Sequence, residues 1–199
     1  MADHRRVRTD RLQLDAYRED DVEAYFAIMS DPGVWRHLPS GVHTTPAQTA
    51  RSVQAALGHW AADGLGYWLA RLRPDLPPGA APAGLVPGAL IGSGGVARRE
   101  GTTWWNLCYR LTPAAWGHGL AAEIVAAALG AARAVAPDRP VIAYPLEHNA
   151  GSRGRAERSG LTLVWRGPDA GNADPTAVRL VYADRPVDAE LIARVTSLA

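Results

Sequence analysis

Two glycines one residue apart, set between a strand-like run and a long apolar helix, constrain the fold of this chain more than any other feature. Residues 102–111 read TTWWNLCYRL, rich in β-branched and aromatic side chains, and residues 120–136 read LAAEIVAAALGAARAVA, apolar at helical spacing. Between them lies TPAAWGHG, with Gly117 and Gly119 at the mouth of the helix. A strand that enters a helix through such a turn belongs to a layered α/β domain. The first amides of a helix have no intrahelical partner and carry partial positive charge, so the same turn suits a pyrophosphate. A plain tight turn would use the glycines equally well.

The rest of the chain alternates in the same way. Leu12 to Leu14 reads as a short first strand, and Val22, Tyr25, Phe26 and Met29 recur at helical spacing behind the acidic Glu19, Asp20 and Asp21. SDPG at 30–33 stops that helix; Thr44 or Thr45 caps another, with Pro46 in its first turn and Gly64 at its end. GYWLARLR and ALIGSGGVARRE read as a hairpin whose Pro- and Gly-rich tip, 77–88, is a loop. The run PVIAYPL is a strand buried on both faces, NAGSRGRAERSG a short helix, LTLVWRG and TAVRLVYA two closing strands, and 187–199 a terminal helix. No internal repeat is visible. The predicted architecture is one domain over residues 1–199 with a mixed, mostly antiparallel sheet of six to seven strands and helices on both faces.

Composition narrows the function classes. At 199 residues and net charge +1, the chain supports one sizeable core and lacks the excess of Lys and Arg that nucleic-acid or membrane-surface binding requires. Cys108 is the single cysteine, so no internal disulfide forms, no metal-ligand spacing exists, and a reducing, cytoplasmic setting is expected. No apolar run approaches the length of a membrane span, and the basic start leads into alternating residues rather than a leader's apolar segment.

Gly117, Gly119 and Ala122 formally satisfy the dinucleotide fingerprint G-x-G-x-x-A, with Asp138 at the expected distance. Asp138, however, precedes the next strand instead of ending it, so it cannot hold a ribose there. TPAAWGHGLAAE instead resembles the acetyl-CoA pyrophosphate loop of the GNAT N-acetyltransferases, and AWGHGLAAE is similar to the W-G-x-G-x-A-x-E form of their RimJ/RimL-like branch. Trp116 stands where the wider family has Gln or Arg. The opening segment with its SDP turn, the central hairpin and EHNAGSRGRAERSGLTLV resemble the same branch in the same order, over roughly Arg8 to Val164.

The resemblance implies a GNAT fold with its central strands splayed, acetyl-CoA as cofactor, and direct attack by an amine in a ternary complex. It implies that Trp116, Gly117, His118, Gly119, Leu120, Ala121 and Ala122 cradle the diphosphate, and that Tyr109, Arg110 and Leu111 border the pantetheine. An amide near Arg110 or Leu111 would polarise the thioester. Asn149 would contact pantetheine. The helix tyrosine that protonates the leaving thiolate in many relatives is missing, and Ser152 is the candidate acid in its place, with CoA binding or helix capping as its alternatives. Asn106 stands where relatives often carry a glutamate base. Glu123, His37 and His118 are other candidates, although Glu123 also suits the helix dipole and His118 could face solvent or phosphate. Trp35, His37, Trp104 and Trp105 fall near the acceptor mouth, where at most one of the last two can face it because they alternate on a strand. Arg98 and Arg99 offer a cationic pair for an acidic acceptor, or merely a solvated strand end. Cys108 reads as packing. The acceptor is a primary amine on a small molecule, amino acid, peptide or protein, and the protein a monomer or homodimer. A GNAT-fold module that binds acyl-CoA without turnover, or other chemistry on the same fold, are the alternative readings.

Overall fold

The computed structural model describes residues 3–99 and 101–197. Its sheet has eight strands in the order β1-β2-β3-β4-β5-β6-β8-β7. These are β1 (Arg6–Arg8), β2 (Leu12–Ala16), β3 (Tyr67–Leu72), β4 (Leu90–Ala97), β5 (Trp105–Leu111), β6 (Val141–Ala143), β7 (Thr162–Pro168) and β8 (Val178–Ala183). The helices are α1 (Val22–Met29), α2 (Pro46–Asp63), α3 (Leu120–Val135), α4 (Ala150–Arg158) and α5 (Ala189–Ser197). Residues 198 and 199, the end of the predicted terminal helix, and residues 1 and 2 lie outside the described residues. Every strand pair is antiparallel except β5 with β6. The strand beyond the predicted count is β1, whose RVR is too short and polar to announce itself. It is held by register with β2 and by the Arg6–Asp15 ion pair at 2.8 Å.

Local chemistry sets the helix ends. Thr45 and Gln48 form a capping box on α2, Pro46 opens it, and Gly64, at φ 65°, closes it by donating to Trp60 O. One face of the sheet is covered by α1, α2 and the segment between them, through Tyr25, Ile28, Met29, Trp35 and Val53 against Leu69. The other is covered by α3, which buries Leu120, Ile124, Val125, Ala128 and Leu129 at i, i+4, i+5 spacing. This helix sits close to the sheet because β4 carries Gly94. A Cβ there would stand 2.7 Å from both Ile124 Cγ2 and Tyr109 Cβ.

The splay is real. β5 and β6 are in register only at Trp105↔Val141 and Asn106↔Ile142. Beyond that point the chain after β6 stays with β8, through Leu180 N–H to Pro145 O and the Leu146↔Arg179 bridge, while β5 continues alone along that edge. A wedge therefore opens in the middle of the sheet, next to the glycine turn.

Candidate active site

The turn after β5 is shaped by three contacts. A short 3-10 turn at Pro113–Ala115 brings the chain round, and Trp116 folds back to donate its indole N–H to Leu111 O at 2.8 Å. Gly117 and Gly119 then take φ 79° and 76°, left-handed values that side chains disfavour. With that backbone, the amides of Gly117, His118, Gly119, Leu120 and Ala121 meet no hydrogen-bond acceptor among the described residues. The Ala122 amide, expected in the same seat, is instead used by Gly119 O at 2.9 Å. Five N–H groups without protein partners at the start of a 16-residue helix are the kind of feature that suits an anion.

Glu123 locks this turn from behind. Its carboxylate accepts from the Thr9 hydroxyl, the Arg11 amide at 3.0 Å and Arg11 Nε at 2.6 Å, while Arg11 Nη1 donates to His118 O at 2.8 Å. Burial alone would raise the Glu123 pKa, but these hydrogen bonds outweigh it and hold the carboxyl below its ordinary range. Glu123 is thus a fully engaged strut that lines neither of the two cavities at the wedge, an arrangement that argues against its use as a base. The His118 side chain is exposed and outside the cavity walls as well; its carbonyl is what the fold uses.

Two cavities meet at the wedge. One, of about 540 Å³, lies against the glycine turn and α4. The other, of about 880 Å³, lies on the α1/α2 side and passes through the sheet, where Leu107, Ala143 and Ala156 also line it. His37, Tyr109, Arg110, Asn149, Ser152 and Arg155 line both. Trp105 N–H donates towards β6, to Pro140 O, and Thr112 N–H towards β4, to Ile91 O. Successive groups of a strand alternate sides, so the main chain of Leu107, Tyr109 and Leu111 faces the wedge and that of Arg110 is turned to β4. Of the two amides expected to polarise a thioester, Leu111 faces the gap and Arg110 does not. Across the wedge, Asn149 caps α4 by accepting from Ser152 N–H at 3.1 Å, and Ser152 O is 3.5 Å from the Tyr109 hydroxyl.

On the far face, Asn106, Cys108 and Arg110 alternate along β5 into the larger cavity. The Asn106 amide donates to Tyr67 Oη at 2.6 Å, so its side chain is tied to the wall. Trp35 lines this cavity, donates Nε1–H to Met29 O at 2.8 Å, and carries the Arg110 guanidinium 3.6 Å from its ring centroid. Burial, then Arg110, His148 and Arg179, push the His37 imidazole below its ordinary value. His43, paired with Thr49 Oγ1 at 2.8 Å, is lowered by burial and by Arg110 in turn.

Trp104 and Trp105 do not form the acceptor wall that the sequence suggests. Both are buried, at 1% and 0% exposure, in separate clusters with Ile142, Val181 and Val195 and with the α3 core, and neither lines either of the two cavities at the wedge. Arg98 is paired with Asp63 at 2.7 Å, whereas Arg99 lines the larger cavity and donates to Tyr144 Oη at 3.3 Å. Sequence reasoning missed His43, Arg155 and Arg158. The two arginines lie three and six residues after Ser152, a helical spacing that could have flagged them. Among the described residues no group of His, Cys, Asp or Glu is arranged to hold a metal, and no helix is long and apolar enough to cross a membrane.

The comparisons with known proteins agree with this geometry. A GNAT-family acetyltransferase from Bordetella pertussis superposes with a TM-score of 0.71 over 90% of this chain and 99% of its own, at 22% identity. An acetyltransferase from Agrobacterium tumefaciens matches at 0.67 and 27% identity, over 91% and 94% of the two chains. The Salmonella typhimurium acetyltransferase that modifies the N-terminal serine of ribosomal protein L7/L12 matches at 0.69 and 18% identity, over 90% and 97%. The family model for the acetyltransferase (GNAT) domain covers residues 11–162. Spanning most of the chain, from β2 through the glycine turn to α4, that match shows that the protein belongs to the GNAT acetyltransferases, enzymes that use acetyl-CoA.

Proposed function

We propose that this chain moves the acetyl group of acetyl-CoA to a primary amine by direct attack in a ternary complex. The chain's own residues fit that donor. Five amides without protein partners suit a diphosphate, Arg155 and Arg158 line the same cavity, and the Tyr109 and Leu111 main chain borders a gap that a pantetheine can enter as an added strand. Acetyl-CoA supplies an activated thioester carbonyl and a thiolate leaving group. The amides of Gly117 to Ala121 hold the diphosphate, and a wedge-facing amide of Tyr109 or Leu111 donates to the carbonyl oxygen where negative charge develops. His37, which lines both cavities and is kept neutral by its surroundings, accepts the proton of the attacking amine. Ser152 donates a proton to the departing sulfur, directly or by ordering a water. Asn149 orients the start of α4 beside it.

The observation that carries this reading is the continuity of the anion seat, the wedge and a second cavity on the opposite face of the sheet. Within the family we place the chain in the RimJ/RimL-like branch, on the run from Trp116 to Glu123 and on Asn149 with Ser152. We read it as a single domain acting in the cytoplasm as a monomer or homodimer, consistent with its lone cysteine. The test is free-thiol release from acetyl-CoA across a panel of primary amines, with CoA affinity measured by calorimetry. Amine-dependent release is expected. In Gly119→Arg, CoA binding should vanish with the fold retained, because position 119 is left-handed and a Cβ there would stand 3.4 Å from Arg11 Nη2, so the turn that aligns the amides is displaced. CoA binding without release to any amine would favour a non-catalytic acyl-CoA-binding module, and a folded protein that does not bind CoA would reject the site.

A further inference from the structure

The larger cavity is cationic, and its key guanidinium has no counter-ion among the described residues. Arg110 projects into it from β5, stacked 3.6 Å from the centroid of a Trp35 ring that is itself buried and anchored to Met29 O. Its position is therefore fixed before any ligand arrives. Among the described residues Arg110 makes no ion pair, and its Nε is buried without a hydrogen-bond acceptor. The other charged groups on the walls do not neutralise it. Arg51, Arg99, Arg155 and Arg179 line the cavity, and no carboxylate does so among the described residues. Arg179 is already satisfied by Asp169, at 3.1 and 2.7 Å through two separate nitrogens, so Asp169 is not available to Arg110. The two imidazoles in the cavity, His37 and His43, are both held towards their neutral forms, by burial first and then by this guanidinium.

We propose that the acceptor is an amine that also carries an oxyanion, carboxylate or phosphate, and that Arg110 binds this group on the α1/α2 side of the wedge. A simple ammonium would meet only positive charge here. An oxyanion satisfies the planar fork of donors that Arg110 presents, cancels the local charge, and leaves the amine free to point at the wedge. Arg110 is then the residue that selects the substrate class, a role distinct from the cofactor border that its position on β5 suggests. The inference rests on the acetyltransferase reading above, and it narrows the acceptor from any primary amine to zwitterionic ones.

The experiment measures kcat/KM for matched pairs: each α-amino acid against its amide, and O-phosphoethanolamine against ethanolamine, with wild type and Arg110→Met. For wild type, at least one anionic member should exceed its uncharged partner by about 30-fold or more, the worth of a charge-assisted bidentate contact. Whether the preference lies in the amino-acid or the phosphate pairs tells carboxylate from phosphate. In Arg110→Met the ratio within each pair should collapse towards one, whatever change is common to both members. Equal rates within all wild-type pairs, or an equal loss for both members in the variant, would overturn the proposal while leaving acetyl transfer intact. If no amine releases thiol, the acetyltransferase reading fails separately, and calorimetry of the CoA-loaded wild type with N-acetyl amino acids and N-acetylphosphoethanolamine decides the anion site. Binding that Arg110→Met weakens supports it; no binding rejects it. If Arg110→Met does not fold, the wild-type pairs and the same calorimetry still decide.

Discussion

Glu123→Gln separates a strut from a base. The carboxylate accepts three hydrogen bonds, from Thr9 Oγ1, Arg11 N and Arg11 Nε, and its side chain is 15% exposed against 34% for Arg11. A glutamine keeps one acceptor oxygen and sets an NH2 against a donor, so one charge-assisted contact is lost and another strained. A hydrogen bond to a charged group is worth about 1.5–3 kcal/mol, and solvent at Arg11 screens part of it, giving a destabilisation of about 2 kcal/mol. For a chain of this size that lowers Tm by about 4–8 °C. Because Arg11 also grips His118 O, the glycine turn loosens, and a share of about 1 kcal/mol would weaken CoA binding roughly fivefold. The pH dependence has a definite sign. The folded-state pKa of Glu123 lies below its ordinary 4.5, so its stabilisation is present above that value and lost as pH falls through the folded one. The Tm gap between wild type and variant should be full at pH 7 and shrink as the pH falls below 4.5. Thermal unfolding at both pH values, CoA calorimetry and a double-mutant cycle with Arg11→Gln would measure all of this. Unchanged Tm and CoA affinity, with turnover cut a hundredfold and a pH limb abolished, would refute the strut and restore Glu123 as the base.

Two other outcomes test the catalytic assignments. The His37 pKa lies below 6.5, so its base form persists into mildly acid solution and the acid limb of kcat/KM should fall below pH 6.5. His37→Asn should erase that limb and cost about 100-fold in kcat, and a limb that survives assigns the base elsewhere. Ser152→Ala should lower kcat by about tenfold or more while leaving CoA affinity within about twofold; equal losses in both would make Ser152 a binding contact only.

The legible part of this protein was its local chemistry. The strand, glycine turn and apolar helix could be read because left-handed backbone needs Gly117 and Gly119, and because an apolar stripe of period 3.6 has to be buried. The Thr45 cap, the double-sided burial of Val141 to Ala143 and the closing hairpin followed from the same short-range rules. The short strand β1 escaped because three residues, two of them arginines, acquire their conformation only from β2.

What side chains do across the sheet was not legible. Glu123 sits 112 residues from Arg11, and nothing local says that the two meet behind the turn. Trp104 and Trp105 look like an acceptor wall, yet both are consumed by packing on opposite faces. Arg110 reads only as a border of the pantetheine until Trp35, from the segment after α1, is placed beneath its guanidinium. Backbone conformation is governed by neighbours along the chain, and so the sequence alone determined the turn, the helices and most strands. Which charges find partners depends on distances between segments remote in sequence, and only the tertiary structure decided that Glu123 is spent and Arg110 is not.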